Sequence, residues 1–193
     1  IWSPHHFASS QEFVDFLHKP QISHLMKAGL EASLFRESIV FELLENFNLV
    51  HHQNLNSLYE LNLEPLDRDE FDRFVGAGQA ARLHLSEFIY RNMLPPLEKR
   101  CTELIKEQND PATSADRQAA IQTSLLRLDS LNPEDIEYGY LTPAANPSVP
   151  NPDNPSQEIQ LPSLLRNNIY TMVSWVSDLH PNRDIILTLS GIA

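Results

Sequence analysis

A single cysteine, Cys101, stands in this chain of 193 residues, so no intramolecular disulfide can form and the fold must be held by its core. That thiol sits among charged residues of a predicted helix with no neighbouring base, which reads as an ordinary cysteine and leans towards an intracellular setting. Glycine is also scarce, five residues in all, too few for a phosphate-cradling loop. Phe74-Val75-Gly76-Ala77-Gly78 contains Gly-x-Gly without a third glycine or a preceding strand, so it is not a dinucleotide fingerprint. Basic charge is short as well. Fourteen Lys and Arg face 26 Asp and Glu, a formal net charge of −12, which repels phosphate backbones and anionic bilayers. Neither nucleic acid nor membrane is an expected partner. The densest basic cluster, Lys99-Arg100 with Lys106, is interleaved with Glu98, Glu103 and Glu107 at helical pair spacing. No apolar run reaches the roughly 18 residues of a membrane span. The opening IWSPHHFASSQEF lacks both a basic and an apolar region of a signal peptide, and the missing initiator Met suggests a processed chain or a piece excised from a longer one.

What the chain does have is helical periodicity. Phe71, Phe74, Val75, Gly78, Ala81, Leu85, Phe88 and Ile89 recur at steps of three and four, predicting one long helix over Leu66–Leu94 that stops at Pro95-Pro96. Gly76 and Gly78 within it would let a crossing helix approach closely. Ile22–Phe47 reads as the central helix, apolar on several sides around Ile39–Leu44. Ser9 with Glu12, and Asp67 with Glu70, carry capping-box spacing, and Ser114 caps a helix over Ala115–Leu128. A helix over Leu97–Gln108 follows Pro96. Asn46 to Asn54 reads as a polar connection, with a short helix at Leu55–Leu61. Six prolines between Leu141 and Pro162 predict an extended loop. Leu164–Leu179 returns to helical spacing with Trp175 as an anchor, and strand, if any, belongs at the C-terminus. The fold class expected is all-α: one helical domain over 1–193, an irregular bundle of about six or seven helices with the Pro-rich loop 141–162 before the last main helix.

Candidate chemistry is sparse. Eight histidines invite a metal reading, but His5-His6 and His51-His52 are adjacent pairs, awkward for joint ligation. His84 and Glu87 form a reversed pair without a matching partner on a second helix, where a carboxylate-bridged di-metal bundle needs two Glu-x-x-His pairs. No metal and no cofactor is predicted, and His84 is expected to hydrogen-bond Glu87. Glu42, inside the apolar IVFELLENF, would have a raised pKa if buried; on a narrow solvent stripe it would be an ordinary carboxylate. The aromatic residues are mostly at core spacing, but Tyr138 and Tyr140, with Pro147 and Pro150, could form a docking surface beside the Pro-rich loop. The leading expectation is a non-enzymatic helical domain that binds another protein. The alternative is an α-helical enzyme or small-molecule-binding protein with a pocket between the 22–47 and 67–94 helices, using Glu42, His84 and Glu87.

Overall fold

A computed structural model of the chain describes residues 2–151 and 160–186. The protein is all-α, as its periodicity requires. Seven helices of eight or more residues occur among the described residues: α1 (Ser10–Leu17), α2 (Pro20–Asn46), α3 (His52–Tyr59), α4 (Arg68–Val75), α5 (Arg82–Gln108), α6 (Ala115–Asp129) and, after the four-residue α7 (Pro133–Ile136) and α8 (Ser163–Arg166), α9 (Ile169–Ser177). Within the 1–193 span read as one domain, the chain forms two compact units, Ile1–Phe35 with Gln157–Ala193, and Arg36–Ser156.

In the first unit the small sheet joins both ends of the chain rather than lying at the C-terminus alone. β1 (Trp2–Pro4) pairs antiparallel with β2 (Arg183–Ile185). Ser9 caps α1 by accepting from the Glu12 amide at 3.1 Å. The Glu12 carboxylate reaches back to the Ala8 amide, one residue beyond the Ser9 amide that a capping box would use. Phe16, Ile22, Val176 and Leu179 make the buried cluster, with Trp2 and Phe7 packed on it. Trp175 lies against His24, ring centroids 5.7 Å apart, as an anchor would. The expected Leu164–Leu179 helix is two pieces: the backbone is extended at Asn167, and the Asn168 side chain opens α9 by accepting from the Thr171 amide. The tail after Ile186 lies outside the described residues.

The second unit holds the larger core, in which Phe47, Leu55, Phe71, Leu85, Ile89, Met93, Leu104, Ile121 and Ile136 are completely or almost completely buried. The single helix expected over Leu66–Leu94 is two. Asp67 caps α4 through the Glu70 amide at 2.9 Å, but Gly76 has φ 69° and ends the helix. That left-handed backbone is open to glycine at little cost, which makes Gly76 a terminator. Gly78 then lies in the turn, where an added Cβ would meet nothing closer than the Val75 carbonyl oxygen at 3.9 Å; no helix crosses there. Conversely, Pro95-Pro96 do not stop a helix, because α5 runs through them for 27 residues. The two rings remove the amides that would bond the Arg91 and Asn92 carbonyls. Burial of Leu85, Phe88, Ile89 and Met93 before the prolines, and Leu97 and Leu104 after them, outweighs that loss.

The polar stretch Asn46–Asn54 is not a connection either. After α2 the backbone widens into a π-helical turn, Phe47–His51, and continues directly as α3. Its asparagines and histidines instead hold non-helical chain against the helices. Asn48 donates to the Leu66 carbonyl at 2.8 Å and accepts from the Leu66 amide at 2.9 Å. Asn56 makes the same paired bonds to Leu63, both at 2.9 Å. Each amide side chain imitates a strand neighbour, satisfying buried backbone that the 60–67 segment cannot satisfy itself. His52 Nε2 adds a bond to the Leu63 carbonyl at 2.5 Å.

The Pro-rich segment is anchored the same way. A second π-helical turn, Glu137–Leu141, leads into it, and 142–151 has turns but no helix or strand, as its prolines dictate. It is not simply laid over the surface: Asn146 is 0% exposed. Its amide donates to the Tyr140 and Thr142 carbonyls at 2.8 and 2.9 Å. Its carbonyl oxygen accepts from Asn46 at 2.7 Å and from His51 Nε2 at 3.2 Å. Because that oxygen can only accept, His51 must carry its proton on Nε2. Pro152 and Pro155 lie outside the described residues.

Candidate functional site

The expected site residues do not assemble into a catalytic group. Glu42 is exposed, on the solvent stripe of α2, so no buried carboxylate forms there. Glu87 is engaged by Arg91 at 3.0 Å, one helical turn on, rather than by His84. His84 is half-buried and its Nδ1 has no hydrogen-bond partner among the described residues. No group of three or more His, Cys, Asp or Glu among the described residues is placed to hold a metal ion. The docking quartet divides. Tyr138 is 77% exposed and Pro147 is exposed, whereas Pro150 is half-buried. Tyr140 turns inward, its ring 6.2 Å from Phe47 and 5.7 Å from His51. Burial pushes the Tyr140 hydroxyl pKa above its ordinary value, with the Tyr59 charge adding to the effect and Arg127 opposing it.

A pronounced concave surface lies elsewhere, on α5 and α6. The two helices are joined by the short turn 109–114, which makes them an αα-hairpin. Glu107 and Arg117 clamp its closed end with a two-pronged ion pair at 2.6 and 2.8 Å. That pair lowers the Glu107 pKa, chiefly through the hydrogen bond from Arg117. Between the helices runs a groove of about 750 Å³ lined by Tyr90, Leu94, Leu97, Glu98, Cys101 and Ile105 of α5 and Gln122, Leu125, Leu126, Leu128 and Asp129 of α6. A second depression of about 620 Å³ continues it past α7, lined by Leu83, Glu87, Tyr90, Arg91, Leu94, Asn132, Pro133 and Glu134. Tyr90 and Leu94 belong to both, so the two depressions adjoin along α5, and together they are called the trough. No residue of 22–47 lines either part.

The α5 floor of the trough is a regular stripe: Leu83, Glu87, Tyr90, Leu94, Leu97, Cys101, Ile105. Its steps are four, three, four, three, four and four, the spacing of a helix–helix seam. At 1.5 Å per residue the stripe is about 33 Å long. Leu83, Leu94, Ile105 and Leu126 are each exposed, Leu126 by 66%. The signal was present in the sequence but hidden by the proline pair. A helix assumed to end at Pro95 cuts the stripe between Leu94 and Leu97 and leaves two short, unremarkable halves. Cys101 sits in the floor of the trough, half-buried.

No family model, curated protein or solved structure matches this chain. No helix among the described residues is long and apolar enough to cross a membrane.

Proposed function

We propose that this is a non-enzymatic helical domain that binds another protein, and that the trough over α5, α6 and α7 takes a helical segment of that partner. The observation that carries the reading is the row of exposed apolar side chains on α5. Leu83, Leu94 and Ile105 recur on one face of the helix and are exposed, which presents a third helix with an apolar row to dock against. An enclosed pocket would suit a small molecule; this trough is open and about as long as a six-turn helix. Tyr138, close in sequence to the α7 end of the trough, and the exposed Pro147 remain available for further contacts with the same partner.

The test uses a designed helical peptide with a leucine face and neutral flanks. It should bind the protein, and its binding should protect the amides of α5 and α6 from hydrogen exchange. Leu126→Glu should abolish that binding while leaving the far-UV circular dichroism spectrum and melting temperature unchanged. Binding that survives Leu126→Glu and Leu94→Glu would place the contact elsewhere.

A further inference from the structure

Resting on the trough reading above, we infer that the natural occupant is a cation-flanked amphipathic helix, whose lysines or arginines face three carboxylates that this protein leaves uncompensated. Five charged side chains line the trough: Glu87, Arg91, Glu98, Asp129 and Glu134. Arg91 is committed on both sides, paired with Glu87 at 3.0 Å and lying over the Phe74 ring at 5.0 Å. Among the described residues, no cation stands within ion-pair distance of the Glu98, Asp129 or Glu134 side chains. Glu98 belongs to α5 and Asp129 to α6, the two helices that line the groove. Glu134 stands at the α7 end.

This placement selects among occupants. An apolar helix seated on Leu94, Ile105 and Leu126 brings its own flanking residues towards these carboxylates. Basic flanks gain three partners there, and acidic flanks meet like charge. A second copy of this chain is disfavoured for that reason. Paired face to face, two troughs would oppose Glu98, Asp129 and Glu134 to one another, in molecules that each carry a formal net charge of −12. Nucleic acid meets the same repulsion. The exposed carboxylates act mainly on partner choice and encounter rate, and the apolar floor supplies the bulk of the affinity.

The experiment compares three synthetic peptides of about 22 residues with one leucine face and flanks of lysine, glutamine or glutamate, measured by fluorescence anisotropy at low and high salt. At low salt the lysine peptide should bind about tenfold tighter than the glutamine peptide, roughly 1.4 kcal/mol, the sum expected of three exposed pairs. The glutamate peptide should bind more weakly still, and high salt should compress the ranking. The triple variant Glu98→Gln, Asp129→Gln, Glu134→Gln should erase the ranking of the three peptides. Equal binding of all three peptides to the unaltered protein overturns the charge inference and leaves the trough reading standing. Binding by none of them overturns the trough reading itself. A dimer seen by sedimentation and dispersed by Leu126→Glu makes the occupant a second copy and overturns the inference. Should the triple variant fail to fold, the salt dependence of the ranking on the unaltered protein decides the same question.

Discussion

Replacing Asn146 tests how the Pro-rich segment is held. The side chain is fully buried and makes four hydrogen bonds. In Asn146→Ala all four are lost together, and a small cavity appears at the junction of the second π-helical turn with the first. A net contribution of about 0.5–1.5 kcal/mol per bond gives roughly 2–6 kcal/mol. Some orphaned groups will recover water: the Tyr140 and Thr142 carbonyls belong to half-buried residues and can turn outwards. The Asn46 amide and the His51 ring, 9% exposed, have less freedom. We therefore expect a loss of about 3–4 kcal/mol, a large fraction of the 5–15 kcal/mol typical of a folded domain. Urea unfolding followed by circular dichroism should show the midpoint fall with the slope unchanged. Chymotrypsin should then cut first at Tyr138, Tyr140 or Leu141, sites slow to be cut while Asn146 pins the segment. A variant within about 1 kcal/mol of the parent, cut no faster, would refute the buried hub, because a group at a wet surface costs that little.

Four further outcomes follow from the geometry. Gly76→Ala should destabilise by about 1 kcal/mol or more, since φ 69° disfavours any Cβ, whereas Gly78→Ala, with open space around it, should be neutral or slightly stabilising; equal effects in thermal melts would contradict the turn. Pro95→Ala should raise stability by roughly 1–3 kcal/mol, because Pro95 is exposed and its replacement restores an amide for the Arg91 carbonyl; a lower melting temperature would mean that the ring packs usefully. Tyr140 and Tyr59 have raised pKa values, in each case chiefly through burial, so the folded state holds their protons more tightly than the unfolded one. Their contribution is complete below about pH 10, the ordinary tyrosine value, and is lost as pH rises through the folded values; Tyr140→Phe should flatten that decline in melts above pH 10. Finally, Arg117→Ala should raise the Glu107 pKa back towards the usual carboxylate value, read by NMR titration of the Glu107 side chain.

Helix content and most helix starts were legible because they depend on local chemistry. Ser9, Asp67 and Ser114 each accept from the amide three residues on, as their spacing implies. The ends and the exceptions were decided by tertiary burial. Pro95-Pro96 look like a stop to local rules and are overruled by apolar side chains packed on both sides of them. Asn48 and Asn56 look like loop residues because their own preference is for turns. Their bonds to Leu66 and Leu63 reach 18 and 7 positions along the chain, and the bond from Asn46 to Asn146 spans 100. No short window contains both partners of the two longer bonds, and local preference alone does not pair Asn56 with Leu63. The candidate site failed to appear for a related reason: His84 and Glu87 were singled out for their chemical type, whereas the trough is made of ordinary leucines whose meaning lies in an unbroken α5.

The two π-helical turns, Phe47–His51 and Glu137–Leu141, place an ordinary constraint on how this chain can change in length. A π turn is an α-helix with one residue inserted. Deleting a single residue from Phe47–His51 would let the backbone relax to α-geometry and rotate everything on one side by about 100° relative to the other. Asn48 and Asn56 would then face away from Leu66 and Leu63, or His51 away from Asn146, whichever residue was lost. The 109–114 turn, exposed over most of its length, carries no such phase and can absorb insertions. Variants of this protein that differ in length should therefore place the difference in that hairpin turn, and keep the count between Asn46 and Asn56 fixed even where the residues themselves are exchanged.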